Sequence, residues 1–414
     1  MDQTEALIIE TIDRHREEIL EFARDIYSHA ELGYKEFQTS GKFVKKMEQL
    51  GLRTEKGFAI TGVKAYLNED KKGNASLALL GELDALCIPE HAFANPETNA
   101  AHCCGHHAQM AGVFGAALAL TVPEIAEKLD GQVVFFATPA EEYGEIEFKN
   151  QLREQGKIRY GGGKCELLRI GAFDDIDLCL THHIRPGNEI LVGSGTGNGF
   201  VSKVIRVLGK ASHAAGAPEK GVNALSAASL GLQALGLNRE TFRDEDCVRV
   251  HPIITKGGNL VNVIPDEVVV ETLVRGKTIE AFTDAAKKTD RSFKAGAIAM
   301  GAKVEISTLP GYLPTLAEEA LPELKHAAEI SASGIPVIEA SGHAGGSTDV
   351  GDVQHLMPVY TFNTGGVKGG LHQIDFEVTD EEEAYIVTAK MFALAAYGLL
   401  KEKAQRSREL VDQY

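Results

Sequence analysis

The chain contains no tryptophan and only six cysteines in 414 residues. Cysteines this few, with no regular spacing, exclude the disulfide framework of a small secreted domain. Without tryptophan, any aromatic pocket must be built from phenylalanine or tyrosine. Basic residues are also scarce: 42 Lys and Arg stand against 59 Asp and Glu, a formal charge of -17. No basic patch offsets phosphate repulsion, so a nucleic-acid partner is not expected. No apolar run approaches the roughly 18 residues that span a bilayer, so no membrane partner is expected. The opening residues, MDQTEALIIETIDRHREEIL, are acidic and lack the basic-then-apolar order of a secretory signal. The expected compartment is a reducing cytoplasm, where Cys103 and Cys104 stay as thiols.

What remains is ordinary for a globular protein: 44% apolar and 24% charged residues. The length suggests two or three domains. Over residues 4–50, apolar positions (Leu7, Ile8, Ile12, Ile19, Leu20, Phe22, Ile26, then Phe43 to Leu50) predict two helices, the second stopping at Gly51. Strand-like runs follow at Ser76 to Leu80, Gln132 to Ala137 and Ile176 to Leu180, separated by helical patterns such as Ala108 to Leu120. That alternation predicts an α/β sheet covered by helices. From about residue 195 the order becomes strand, helix, strand, strand, helix, strand, a split βαβ unit. It predicts a small inserted α+β domain at 195–311, flanked by 1–194 and 312–414.

The densest chemistry lies in Ala101–Ala108, with three histidines and two cysteines in six positions. Imidazole and thiolate bind divalent transition metals. Glu141-Glu142 and His182-His183 lie at or just past the carboxyl ends of expected strands, and His372 follows the strand ending near Phe362. Ligands collect at that edge of α/β sheets. Neighbouring residues aim about 100° apart on a helix and to opposite faces on a strand. Each doublet therefore supplies one ligand or divides its roles. In the glutamate pair, one carboxylate can hold a metal while the other acts as general base. Gly193–Gly199 lacks the strand-then-helix context of a dinucleotide site and reads as a linker. Gly161–Gly163 reads as a backbone turn, and Cys87, Cys165, Cys179 and Cys247 as buried apolar residues.

Five segments match a known family in order and spacing: Asp84-Ala85-Leu86, Cys104-Gly105-His106, Pro139-Ala140-Glu141-Glu142, His183-Ile184-Arg185-Pro186 and Leu371-His372. They resemble the aminoacylase/carboxypeptidase-type dinuclear metallo-amidohydrolases. The nearest branch holds N-acyl-amino-acid, indole-acetyl-amino-acid and aminobenzoyl-glutamate hydrolases. Gly209–Ala214, Asn262–Asp266 and Ser347–Val353 extend the resemblance over nearly the whole chain.

The resemblance implies a metallo-exopeptidase-like domain with a central mixed sheet and an inserted ferredoxin-like dimerisation domain. It implies Cys104, His106, Glu142, His183 and His372 as ligands of one or two divalent metals, zinc or manganese, and Glu141 as general base. His213 would reach a partner subunit's site in a homodimer or higher homo-oligomer. Asn262 and Arg275 would bind the carboxylate of a small substrate or stabilise developing charge. Asp84, with His107, would sit behind the ligands and orient them.

Two positions depart from the family: His107 replaces an acidic or amide residue, and about sixteen residues, Glu145 to Tyr160, separate the glutamates from Gly161. The expected activity is hydrolysis of an N-acyl or N-aroyl amino acid. The two departures motivate an alternative, release of ammonia from an electron-poor aromatic amine such as a nitroanthranilate. A catalytically silent metal-binding scaffold is the third reading, and the intact Glu141 argues against it.

Overall fold

The computed structural model describes all 414 residues, and the chain divides into two compact units. The first comprises Met1–Gly195, Leu316–Gly342 and Asp352–Tyr414; the second comprises Thr196–Thr315 and His343–Gly351. The sequence reading places residues 343–351 with the outer segment, whereas here they cluster with the inner one. A short parallel pair, Thr196–Gly197 with His343–Ala344, ties that return segment to the start of the unit.

The first unit is built on an eight-stranded mixed sheet. Four neighbouring strands run parallel: Gln132–Thr138, Ser76–Glu82, Leu178–Ile184 and Val359–Thr364. Gly62–Leu67 joins one side antiparallel and carries Arg53–Phe58 as the edge. Ile190–Val192 joins the other side antiparallel, followed by Val337–Glu339. Gln132–Thr138 and Ser76–Glu82 are buried along their whole length and largely apolar because both faces are covered. The outer hairpin escapes the sequence reading. Its strand Gly62–Leu67 carries a charge at its centre, Lys64, which is buried and pairs with Asp175 at 2.5 Å.

Helix His106–Leu120 is buried on every side and apolar all round, so it belongs inside the core rather than on its surface. The single helix expected over Leu7–Ile26 is two, Gln3–Arg14 and Arg16–Ser28, interrupted at His15. A capping box between Asp2 and Glu5 starts the first. One helix, Glu382–Gln413, is long and apolar enough to cross a membrane, but 89% of its apolar stretch is buried within the fold. It is a core helix of this unit.

The second unit is built on a five-stranded antiparallel sheet. Glu267–Gly276 pairs with Gly199–Leu208, which pairs with Lys303–Pro310. The short segments Arg249–Val250 and Ile253–Lys256 pair with Glu267–Gly276 from its other side. Residues of Glu267–Gly276 alternate in burial, with Val268, Val270 and Val274 inward. They pack with Ala224, Ala228, Ala285 and Phe293 from helices Ala224–Asn238 and Ile279–Ala299. Of the four cysteines expected as buried, Cys165 and Cys179 are, but Cys87 is exposed and Cys247 half-buried. Cys87 lies on a two-residue surface strand and Cys247 on a left-handed turn, neither of which enters a core.

Candidate metal centre

The carboxyl ends of the four parallel strands bring the implied ligands of the first unit together. Ser76–Glu82 runs into Asp84, Gln132–Thr138 into the glutamate pair, and Leu178–Ile184 carries His183 in its own register. Cys104 and His106 flank Gly105, the residue that starts the buried helix. Gly105 sits at φ +94°, and a Cβ there would lie 2.0 Å from Cγ2 of Ile184. Only glycine lets the Cys104–His106 turn close against the strand that carries His183.

Cys104 is the hub of the cluster. Its Sγ lies 3.2 Å from Nε2 of His183 and 3.3 Å from Nε2 of His372. His372 Nε2 is in turn 3.2 Å from Oε1 of Glu142. Two triads result, Cys104–His106–His183 and Cys104–Glu142–His372, each with donor atoms within 4.8 Å of one another. His106, Glu141 and Glu142 form a third group of the same span. The cluster runs from fully buried His106 to half-exposed His372, so it opens to solvent on one side.

The donors fit a soft divalent ion. Nδ1 of His106 donates to the Asp84 carbonyl at 2.8 Å, and Nδ1 of His183 to the Ile184 carbonyl at 2.7 Å. Both bonds put a proton on Nδ1 and leave Nε2 as the ring nitrogen that faces the cluster. His106 Nε2 and Glu142 Oε1 are buried and make no aligned hydrogen bond, although Glu82 Oε2 and His372 Nε2 respectively lie 3.2 Å away. Burial pushes the Cys104 thiol well above its ordinary range, with Glu142 adding to the effect. Burial opposes the charged form of His106, but Glu82 and Cys104 outweigh it and raise its pKa well above the usual value. Binding a cation here therefore displaces protons from both groups. One thiolate and three imidazoles favour zinc, while the carboxylates also suit manganese.

The glutamate loop is pinned from several directions. Ala140 adopts φ +48°, a left-handed bend that costs a non-glycine residue about 1–2 kcal/mol. Its N–H donates to Glu36 Oε1 at 2.8 Å, and its carbonyl accepts the N–H of Gly163 at 2.9 Å. A Cβ on Gly163 would lie 1.6 Å from the Pro139 carbonyl oxygen, which explains a glycine at that position. The N–H of Glu142 donates to Asp84 Oδ2 at 2.9 Å. Asp84 thus touches both the loop and, through its main-chain carbonyl, a candidate ligand.

The adjacent members of the doublets point elsewhere. His182 is buried against the rings of Phe362 and Phe392 and shares a hydrogen bond with Thr364 Oγ1 at 2.8 Å. Cys103 lies in the apolar core, where burial pushes its thiol up to about 12. His107 turns into a pocket of rings formed by Tyr27, His102 and Tyr385, at centroid distances of 4.7, 5.3 and 5.6 Å. Its ring nitrogens bond to no candidate ligand, and burial, with His106 adding, pushes its pKa down to about 3. His107 therefore does not share the place behind the ligands expected for it with Asp84. It follows His106 by one helical position and so aims about 100° away from it around the helix.

Three further residues belong to the site. Glu82 Oε2 lies 3.2 Å from Nε2 of His106 and accepts from Gln109 at 2.8 Å. Glu82 Oε1 meets the buried ammonium of Lys164 at 2.5 Å. Burial works against the Glu82 carboxylate, but Lys164 and His106 outweigh it and hold its pKa down at about 2. One signal could have revealed Glu82, since it is a carboxylate at the carboxyl end of an apolar strand, the edge where ligands collect.

The second unit holds the remaining implied residues. His213 is exposed, and its Nδ1 accepts the N–H groups of Ala215 and Gly216 at 3.2 and 2.9 Å. That places the ring proton on Nε2, pointing a donor outward. Ala214 N–H donates to the carbonyl of exposed Asn262 at 2.9 Å. Arg275 bonds Ser347 Oγ at 2.7 Å and lies 5.3 Å from the Phe200 ring centroid.

A mixed sheet with these donors at its carboxyl edge defines a metallopeptidase-type hydrolase. The chain belongs to peptidase family M20/M25/M40, whose sequence profile matches residues 78–397. The Xaa-Arg dipeptidase of Mus musculus is 28% identical over 412 residues, spanning 95% of this chain and 85% of its own. The N-acetyl-L-cysteine deacetylase of Bacillus subtilis is 25% identical over 403 residues, spanning 94% and 90%. A dinuclear metal-binding M20 peptidase from Bacillus subtilis superposes with a TM-score of 0.64, at 24% identity over 94% of this chain and 99% of that one.

Proposed function

We propose that the protein is a metal-dependent amidohydrolase that cleaves an N-acyl or N-aroyl amino acid. The observation that carries this reading is the pair of triads sharing Cys104, with Glu141 beside His106. Cys104, His106, Glu142, His183 and His372 would hold one or two ions, zinc or manganese. When bound, the metal lowers the pKa of water toward neutrality and polarises the scissile carbonyl. Glu141 takes the proton from the attacking water and delivers it to the leaving nitrogen. Asp84, whose main-chain carbonyl accepts from Nδ1, holds His106 in its liganding orientation.

In the second unit, the outward Nε2–H of His213 suits it to donate to the carbonyl oxygen as negative charge develops there. Arg275 and Asn262 bind the substrate carboxylate. His213 would serve a partner subunit's site, which makes the working unit at least a homodimer. The alternative of ammonia release loses one of its two motives, because His107 faces a buried aromatic pocket.

The test is a panel of N-acetyl, N-benzoyl and N-aminobenzoyl amino acids, dipeptides and electron-poor anilines. The expected product is a free amino acid, with Glu141→Gln reducing turnover about 10²–10⁴-fold while bound metal is kept. Ammonia from the anilines with no amino acid from the amides would refute the reading.

A further inference from the structure

The insertion after the glutamate pair has no part in the reaction described above, yet it reaches the site. Residues Ile146–Glu154 form a helix that turns back on the loop it follows. Lys35 pairs with Glu145 at 2.6 Å at the start of that helix and lies over the Phe148 ring at 4.2 Å. Farther on, Tyr34 Oη donates to the Tyr160 carbonyl at 3.1 Å. The insertion is therefore tied down near both ends by adjacent residues of one distant turn.

Between these ties the helix buries a lysine. Lys149 is only 3% exposed, although a lysine is almost never buried without strong compensation. Its ammonium donates to the main-chain carbonyl of Glu142 at 2.5 Å. It also lies 5.1 Å from the ring centroid of Tyr143 and 5.7 Å from that of Tyr34, a cation held over two aromatic faces. The two peptide planes flanking Glu142 are thus pinned separately. Asp84 holds the N–H of one, and Lys149 holds the carbonyl of the other. With both planes held, the Cα–Cβ direction of Glu142 is set, which fixes the point from which its carboxylate reaches to 3.2 Å from His372.

We propose that Lys149 is a positioning residue of the metal centre and that the insertion exists to deliver it. It acts through the Glu142 backbone, touching neither substrate nor metal. The proposal rests on the reading of Glu142 as a ligand.

The test compares wild type with Glu142→Ala, Lys149→Met and Lys149→Arg. Zinc affinity is measured by chelator competition, alongside kcat, KM and thermal midpoint. Loss of an orienting neighbour typically costs 10–100-fold in metal affinity or activity. Lys149→Met should weaken zinc binding by about that factor and lower kcat with KM within about twofold. Lys149→Arg, which keeps a cation and a donor, should recover most of both. If Glu142→Ala itself leaves zinc affinity unchanged, the ligand reading fails and the proposal falls with it. If Glu142→Ala loses zinc but Lys149→Met keeps wild-type affinity and kcat, Lys149 does not position Glu142. If Lys149→Met fails to fold, Lys149→Gln replaces it in the comparison. Equal losses in Lys149→Gln and Lys149→Arg that track only the thermal midpoint would also overturn the proposal.

Discussion

Replacing Gly105 by alanine probes how the two ligand-bearing segments are fitted together. At φ +94° a side chain is strained, which costs about 1–2 kcal/mol. The new Cβ would stand 2.0 Å from Cγ2 of buried Ile184, and overpacking of that kind costs about 1–3 kcal/mol. The expected destabilisation is therefore about 2–5 kcal/mol. Zinc binding should fall as well, because Cys104, His106 and His183 all adjoin the clash. Ile184→Ala alone removes a core side chain and should cost about 2–5 kcal/mol through the cavity it leaves. In the double variant the alanine methyl enters that cavity, so the two costs should fall short of additivity by about 1–3 kcal/mol. Urea unfolding of the metal-free protein gives each free energy, and metal analysis gives zinc content. An additive double variant, or a Gly105→Ala chain within about 1 kcal/mol of wild type with full zinc, would refute the packing argument.

Alanine at Cys104, His106, Glu142, His183 or His372 should lose bound metal, whereas alanine at Cys103 or His182 should not; elemental analysis checks this, and equal loss from Cys103→Ala and Cys104→Ala would reverse the assignment. Glu318 has its pKa raised to about 8, chiefly by burial and against hydrogen bonds from Gln354 and Thr361. A raised carboxyl pKa favours the protonated folded state, so its contribution to stability is full below about pH 4.5 and is lost as pH rises through 8. Glu318→Gln should flatten that part of the stability–pH curve, and an unchanged thermal-midpoint profile from pH 5 to 9 would count against it. Mixing inactive His213→Ala chains with inactive Glu141→Gln chains should restore activity if sites are shared between subunits; demonstrated chain exchange without recovery would rule sharing out.

Much of the site is written locally. Strand-end placement of Glu141-Glu142 and His183 follows from short apolar runs, because chain direction fixes which edge those residues reach. The separation of His182 from His183 follows from strand periodicity alone, since neighbours on a strand aim to opposite faces, whereas Cys103 and Cys104 lie in the irregular turn before the helix and are parted only by the closed fold. The order of elements in the second unit is likewise legible, because Glu267–Gly276 alternates cleanly between its two faces. Other features depend on residues far apart in the chain. Lys64 looks like a surface residue until Asp175 arrives to pair with it. Periodicity turns His107 away from the metal but cannot say that Tyr27 and Tyr385 receive it. The proton positions on His106 and His183 are set by carbonyls that only the closed fold brings into reach. Glu82, Lys164 and Lys149 are ordinary charges in sequence; they become part of the centre because buried charges must find partners, and only the tertiary structure supplies them.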